Sequence, residues 1–161
     1  LQHLRPIFDV FCICRLFWGE LDVTLQEHIE TLNYVTGWDV TPEEALKTSE
    51  TIWNLNRCHL IERKRKNGRD FDYPPARTWE DKIPTGPGKG KGVTYQMLEQ
   101  MLDEYYAGRG WDIQGNPTKE VLEDLRLGFA AKRLEEIGHI GKPIPGGIPS
   151  VRGEKYSPKA F

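Results

Sequence analysis

Apolar residues recur every three or four positions along much of the chain, which is the spacing of one face of an α-helix. This spacing predicts helices over residues 7–18, 24–37 and 42–63. The third has the clearest start, because Thr41 can cap the first amides, Pro42 suits the first turn, and two glutamates follow at the positive end of the helix dipole. The face of this helix predicted to be buried consists of Ala45, Ser49, Ile52, Asn56 and His59.

The second half of the chain shows the same pattern in shorter segments. Neighbouring apolar pairs on every turn predict a helix over 97–106, whose methionine and tyrosine side chains are expected to form ordinary core. Thr118 is expected to cap a short helix that reaches Leu125. One or two further amphipathic turns are expected over 129–137, before Gly138 ends them.

Two stretches lack any such period. Residues 64–92 are rich in Gly, Pro and Lys, and the prolines disfavour a regular helix. The glycine-lysine sequence at the end of this loop suggests a phosphate cradle, but the preceding strand and the Gly-Lys-Ser/Thr ending are missing, which favours a solvated connection. From His139 the chain is again rich in Gly and Pro. The sequence therefore predicts an all-α, irregular multi-helix domain with a long central loop and an extended Gly/Pro-rich C-terminal tail.

The composition narrows the possible partners. A chain of 161 residues with a formal net charge of -2 lacks the basic excess that binding to nucleic acid requires. The apolar run 7–18 is too short to span a membrane and contains Asp9 and Arg15. Three cysteines without a secretory signal favour a reducing, cytoplasmic setting over a disulfide framework. Because the first residue is Leu rather than Met, we expect the chain to belong to a longer protein.

The candidate chemistry lies in the first apolar run, where Asp9, Cys12 and Cys14 interrupt the hydrophobic residues. One interpretation is a core helix with two inert buried cysteines and a carboxylate that a neighbour satisfies. The other is a binding site, because a buried carboxylate must be bound or hydrogen-bonded and a thiolate suits a soft metal such as the iron of a cluster. The sequence has no Cys-x-x-Cys or His-x-x-x-His pair and no nucleophile elbow, and we interpret its four histidines as packed or surface residues.

Six short motifs occur in a fixed order along the chain. They occupy residues 34–39, 50–57, 103–106, 109–112, 115–118 and 122–127. As a set they resemble the C-terminal helical domain of the aldehyde:ferredoxin oxidoreductase family, whose members carry tungsten or molybdenum on two pterins beside a four-iron cluster. The resemblance implies that residues 1–127 form this domain. It also implies that 128–161 are an added helix turn and an extended tail, packed on another segment or subunit.

The resemblance gives the first apolar run a role. The family has an Asp-x-x-Gly-Leu-Cys motif, and residues 9–14 lie over it, which implies that Cys14 provides one thiolate to the 4Fe-4S cluster. It further implies that Asp9 accepts hydrogen bonds from a pterin ring and that the backbone near Ile13 lies close to the same cofactor. Cys12 stands where the family has glycine, and Ile13 where it has leucine. A different turn, or Cys12 as the ligand, are therefore open alternatives.

The implied function is a tungsten-dependent oxidoreductase that oxidises aldehydes to carboxylic acids and passes electrons to ferredoxin. No catalytic residue is expected in this chain, because the remaining cluster cysteines and the family's catalytic acid and histidine would lie upstream. The tungsten (or molybdenum) bis-pterin and the cluster would be shared with that sequence. The expected partners are the rest of the enzyme, ferredoxin or a ferredoxin-like subunit, and further copies in an oligomer. Two alternatives are a branch similar to benzoyl-CoA reductases, which reduce an aromatic acyl-CoA, and a non-catalytic helical interaction subunit.

Overall fold

The computed structural model describes residues 4–14, 16 and 23–143, and these residues contain helices but no β-strand. The all-α prediction is therefore confirmed. The helices with bounds in this part of the chain are α1 (Arg5–Val10), α2 (Leu25–Thr36), α3 (Pro42–Lys64), α4 (Arg77–Glu80), α5 (Tyr95–Arg109), α6 (Lys119–Asp124) and α7 (Gly128–Glu136). A 3₁₀ turn, Gly68–Phe71, lies in the central loop. No helix of the described residues has the length and apolar character needed to cross a bilayer.

The chain divides into two compact units, one ending at Asn56 and the other beginning at Arg57, so that the division falls within α3. Each unit has its own hydrophobic core. The core of the first unit contains Leu4, Ile7, Phe8, Ile29 and Ala45. The core of the second unit contains Cys58, Ile61, Val121, Leu122, Leu125, Leu127, Ala130, Ala131 and Leu134. In the second unit, α7 thus packs with α6 on the end of α3.

The helix starts that the threonine signals predict are confirmed. The Glu27 N–H donates to the Thr24 hydroxyl at 3.3 Å, and the Thr24 N–H donates to the Glu27 carboxylate at 2.7 Å. This reciprocal pair is a capping box, which satisfies two amides that the first turn leaves unpaired. Thr41 and Glu44 form the same pair at the start of α3. Thr118 caps α6 with its side-chain oxygen.

The first helix is shorter than the sequence predicts. Because α1 ends at Val10 and residues 11–14 are not helical, the single helix predicted over 7–18 is wrong; residues 15, 17 and 18 of that prediction lie outside the described residues. The backbone of Cys12 is left-handed, with φ 54°, and the Ile13 N–H donates to the Phe8 carbonyl at 2.9 Å. This is the closing arrangement of a left-handed helix cap, in which glycine is the usual residue. A cysteine occupies the position here, so the sequence shows no stop signal.

The buried face of α3 departs from the predicted stripe in its second half. Ala45 and Ser49 are buried as expected, but Asn56 and His59 are exposed. The buried positions there are Asn54, Arg57, Cys58 and Ile61. The predicted stripe repeats every seven residues, which drifts from the true helical repeat by about 20° per heptad. From Arg57 onward, α3 also belongs to the second unit and has different neighbours.

The stripe on α5 is buried only near its C-terminal end. Tyr106 is fully buried, whereas Met97 and Met101 are 50% and 47% exposed. The assignment of the methionines to the core is therefore wrong. Tyr106 is covered because its ring packs beside Trp111, at a centroid distance of 6.0 Å, in the link that follows α5.

Arg57 is the centre of a buried polar cluster in the second unit. Its guanidinium donates to both oxygens of Asp72, at 2.9 and 2.5 Å, and its Nε donates to the Gly115 carbonyl at 2.9 Å. It also lies 4.6 Å from the centre of the Trp111 ring. The Tyr106 hydroxyl donates to the same Asp72 carboxylate at 2.6 Å. These bonds join the central loop, α3 and the link after α5 into one structure.

Gly115 leaves no room for a side chain. Its φ is 70°, and a Cβ would lie 2.5 Å from Arg57 Nη2 and 2.9 Å from Tyr106 Cζ. Gly115→Ala should lower the free energy of unfolding by about 2 to 5 kcal/mol, the sum of overpacking and left-handed strain. Gly37 is the matched control, since its φ is 72° and a Cβ added there would have no atom within 4 Å. Gly37→Ala should cost only about 1 to 2 kcal/mol; equal losses in urea denaturation would contradict the crowding at Gly115.

Candidate cofactor-binding segment

The segment from Asp9 to Cys14 carries the predicted ligands, and its polar side chains lie at the surface. Asp9, Cys12 and Cys14 are exposed, and Ile13 is half-buried. The alternative of two buried, inert cysteines is therefore wrong, and so is the burial expected for Asp9. The reason is the short first helix, whose buried face ends at Phe8 and leaves the next residue on the outer face.

The turn at Cys12 determines how the chain leaves α1. The hydrogen bond from the Ile13 N–H to the Phe8 carbonyl closes the turn. Phe11 and Ile13 then pack against the core of the first unit. Because Ile13 lies between two exposed thiols, it anchors the backbone next to Cys14. The Cys14 thiol is thus presented to solvent from an ordered segment.

His28 on α2 packs against Phe8 of α1, directly before this segment, a contact that sequence reasoning missed. Its side chain is 4% exposed, and its Nδ1 lies 2.8 Å from the Thr24 carbonyl. Since a carbonyl oxygen only accepts, Nδ1 is the donor. The edge of the imidazole meets the Phe8 ring, with centroids 5.2 Å apart. No local signal in the sequence marks this contact, because Phe8 belongs to another helix.

The exposed groups fit part of a cofactor site. A cysteine thiolate is the usual ligand of an iron-sulfur cluster, and a carboxylate accepts charge-assisted hydrogen bonds. Cys14 and Asp9 offer these two groups, both accessible. Among the described residues, no three His, Cys, Asp or Glu side chains are grouped so that they could hold a metal ion. A cluster bound at Cys14 would therefore need further ligands from outside the described part of the chain.

Cys58 is a different kind of cysteine. It is 4% exposed and belongs to the core of the second unit. Burial raises the pKa of its thiol to about 12, so the thiol stays protonated at neutral pH. Since the thiolate is the form that binds metals, Cys58 is a packing residue, and the two exposed cysteines are the candidate ligands.

Comparison with known proteins decides the family. The family model described as domains 2 and 3 of aldehyde ferredoxin oxidoreductase matches residues 1–127. The chain belongs to the aldehyde ferredoxin oxidoreductase family. The resemblance drawn from the six sequence motifs is therefore confirmed.

Three curated relatives show how much of the family's length is present. The tungsten-containing aldehyde ferredoxin oxidoreductase of Pyrococcus furiosus is 40% identical over 126 residues, which cover 78% of this chain and 20% of that protein. The protein of the same name from Pyrococcus abyssi is 33% identical over 129 residues, with the same coverage of 78% and 20%. The aliphatic sulfonate oxidoreductase, WOR-like subunit, of Pyrococcus furiosus is 32% identical over 114 residues, covering 68% and 18%. This member of the aldehyde ferredoxin oxidoreductase family thus spans about one fifth of the length of the curated relatives it matches.

The left-handed backbone at Cys12 predicts that glycine, the residue of the family motif, would be more stable there. Cys12→Gly should raise the free energy of unfolding by about 1 kcal/mol, because glycine has no Cβ to crowd the following carbonyl. Cys12→Ala keeps the Cβ and should give no such gain. Urea denaturation of both variants measures the difference. A Cys12→Gly variant less stable than the parent chain would contradict the left-handed turn.

Proposed function

We propose that the chain is the C-terminal part of a tungsten-pterin, iron-sulfur oxidoreductase that oxidises aldehydes to carboxylic acids and passes the electrons to ferredoxin. Family membership and the 40% identity to a tungsten-containing aldehyde ferredoxin oxidoreductase support this class of enzyme. The observation that carries the proposal is the exposed Cys14, held after an ordered turn in the same segment as the exposed Asp9. An Asp followed by a turn and a Cys is the arrangement that the family motif implies.

In this proposal the chain's own residues bind and orient the cofactors. The Cys14 thiolate is one ligand of a 4Fe-4S cluster, which as a rule takes about four thiolates. The Asp9 carboxylate accepts hydrogen bonds from the N–H groups of a pterin, and the backbone near Ile13 lies beside the same ring. Because both contacts belong to one short segment, the backbone of this segment fixes the position of the cluster ligand relative to the pterin contact. When bound, the tungsten (or molybdenum) bis-pterin and the cluster supply the two-electron redox chemistry.

The overall reaction balances with water as the oxygen source. One aldehyde and one water give one carboxylic acid, two protons and two electrons, and ferredoxin takes the electrons. The catalytic residues are assigned to the rest of the enzyme. We further propose that residues 1–127 are the family domain. The added helix α7 packs in the core of the second unit, which corrects the expectation that all of 128–161 packs on another segment or subunit, and the tail over 144–161 lies outside the described residues. We also propose that the enzyme is cytoplasmic, because the reducing cytoplasm keeps exposed thiols such as those of Cys12 and Cys14 reduced.

Metal analysis and activity of the complete enzyme test the proposal. Enzyme expressed with the rest of its polypeptide should contain iron and tungsten (or molybdenum), and an aldehyde should drive the reduction of a viologen dye. Purified enzyme that contains neither metal and oxidises no aldehyde would contradict the proposal. That result would favour the helical interaction subunit, a protein that has kept the fold and lost the cofactors.

Asp9→Ala tests the pterin contact. The change should lower the tungsten and pterin content of the complete enzyme severalfold, because it removes the proposed acceptor, and it should leave the helix content unchanged, because Asp9 is exposed. Glu43→Ala removes another exposed carboxylate of the first unit and should leave the tungsten content and the pterin content unchanged. Equal tungsten in the two variants would show that Asp9 is only a surface residue.

A second candidate function follows from one of the relatives. The 32% identity to the aliphatic sulfonate oxidoreductase, WOR-like subunit, favours an oxidoreductase that acts on an aliphatic sulfonate through the same cofactor segment. A panel of substrates separates the candidates. If the dye is reduced with an aliphatic aldehyde but not with an aliphatic sulfonate, the result supports aldehyde oxidation. If the dye is reduced with the sulfonate but not with the aldehyde, the result supports the sulfonate-oxidising function. Reduction of benzoyl-CoA by a reduced dye would instead point to the branch similar to benzoyl-CoA reductases.

A further inference from the structure

The loop over residues 82–92, here called the lysine loop, is closed by its own backbone hydrogen bonds. The Ile83 N–H donates to the Lys91 carbonyl at 2.9 Å, and the Gly90 N–H donates to the Ile83 carbonyl at 2.9 Å. Inside the loop, the N–H groups of Lys89 and Lys91 close two further turns, at 3.0 and 2.9 Å. The lysine loop is therefore an ordered surface feature in the second unit.

The lysine loop presents positive charge that the described residues do not neutralise. Lys82, Lys89 and Lys91 are all exposed, and none of them forms an ion pair within the described part of the chain. Asp81, which directly precedes the loop, pairs instead with Arg77, at 3.6 Å. The three ammonium groups are thus held on one small closed loop with no internal counter-charge.

The charge is also unevenly distributed along the chain. Residues 57–92 contain 10 Lys and Arg against 5 Asp and Glu, whereas the rest of the chain contains 12 against 19. Three of those five acids, Glu62, Asp72 and Asp81, are already in ion pairs with arginines. The same pairs neutralise Arg57 and Arg77, but residues 57–92 keep an excess of basic side chains in an otherwise acidic chain.

The loop suits a protein partner better than a phosphate group. The N–H groups of Ile83, Lys89, Gly90 and Lys91 donate to carbonyls within the loop, so these four amides are not available to a small anion. The Ile83 side chain is 48% exposed and lies beside Gly88, which puts an apolar group among the lysines. An apolar centre with a polar rim is the usual composition of a protein–protein contact.

We propose that the lysine loop is a docking surface for an acidic electron-carrier protein of the ferredoxin type. The inference rests on the proposed function, which requires a protein that accepts electrons. Lys82, Lys89 and Lys91 steer the acidic partner towards the loop, and Ile83 provides the central contact. Such steering mainly raises the association rate and weakens as the ionic strength rises.

The test compares the complete enzyme with a variant that carries Lys89→Glu and Lys91→Glu. At low ionic strength, the KM for a ferredoxin of net negative charge should rise about tenfold in this variant, and the difference should shrink in high salt. Aldehyde-dependent reduction of a viologen dye should be unchanged, because the dye does not need the docking surface. Lys132→Glu with Lys142→Glu is the matched control: both lysines are exposed in the second unit, and the same charge change should leave the KM unchanged.

The possible outcomes test the docking surface and the proposed function separately. An unaltered ferredoxin KM in the lysine-loop variant overturns the docking surface, and so does an equal rise in the control, which would show an effect of net charge alone. If the parent enzyme reduces no dye with an aldehyde, the proposed function fails. Direct binding of ferredoxin to the immobilised enzyme then decides the docking: binding that the lysine-loop substitutions abolish supports it, and binding that they leave intact overturns it.

Discussion

Arg57→Ala is expected to lower the free energy of unfolding by about 3 kcal/mol or more, because it leaves the largely buried Asp72 carboxylate without its positively charged partner. The Arg57 side chain is 7% exposed, and Asp72 is 25% exposed, so some water reaches the carboxylate and the loss should lie near the lower end of the usual range. The Gly115 carbonyl loses its donor as well. Urea denaturation followed by tryptophan fluorescence measures the change, since the guanidinium lies over Trp111.

Arg133→Ala is the matched control for burial. Arg133 also forms two ion pairs, with Glu62 at 2.6 Å and with Glu136 at 2.9 Å, but its side chain is 46% exposed. Exposed ion pairs contribute little to stability, so this change should lower the free energy of unfolding much less than Arg57→Ala does. Similar losses in the two variants would show that the buried surroundings of Arg57 do not determine the strength of its pair.

Cys14→Ala is expected to remove most of the iron from the complete enzyme, together with aldehyde-dependent reduction of ferredoxin. The proposed function assigns this exposed thiol as a cluster ligand, and a four-iron cluster takes about four thiolates. Loss of one ligand should therefore destabilise the cluster as a whole. Iron analysis of the purified protein measures the loss, and the electron paramagnetic resonance signal of the reduced cluster should fall with it.

The other two cysteines provide the controls. Cys58→Ala should leave the iron content unchanged and cost about 1 kcal/mol of packing in the core of the second unit. Cys12→Ala should also keep the iron if Cys14 is the ligand. Equal iron loss in the Cys14 and Cys58 variants would contradict the assignment, and loss confined to Cys12→Ala would make Cys12 the ligand.

The sequence predicts the helix starts after Thr24, Thr41 and Thr118 correctly because the groups that define them are neighbours in the chain. Thr24 and Glu27 bond to each other across three residues, as do Thr41 and Glu44. Two residues that are three apart lie within one helical turn, so their pairing can be recognised without any knowledge of tertiary structure. The same reasoning fails at Cys12, because a left-handed cap held by a cysteine looks like the middle of an apolar helix.

The buried polar cluster of the second unit has no comparable local signal. Arg57 bonds to Asp72, 15 residues away, and to Gly115, 58 residues away. In the sequence, Arg57 looks no different from Arg133, which is half exposed. Which arginine is buried depends on where the central loop and the link after α5 fold back, and the helical period does not contain that information.

The candidate site could be predicted only through the family motif. Hydrophobicity alone places Asp9 and Cys14 inside a buried helix, and that burial is wrong. The motif instead predicts a pterin contact and a cluster ligand, roles that stay predictions and that agree with two exposed groups. The buried His28 agrees with the interpretation of the histidines as packed or surface residues, but its contact with Phe8 was not predicted, because it depends on the packing of two helices.

The core of the second unit has a consequence for synthesis on the ribosome. Cys58 and Ile61 share that core with Leu134, which is made 73 residues after Ile61. At about 5 to 20 residues per second, these two side chains wait on the order of 4 to 15 s for their covering helix. During this delay the apolar end of α3 is exposed and accessible to chaperones. If translation stopped before Leu134, this end of the helix would stay exposed and would be open to proteolysis.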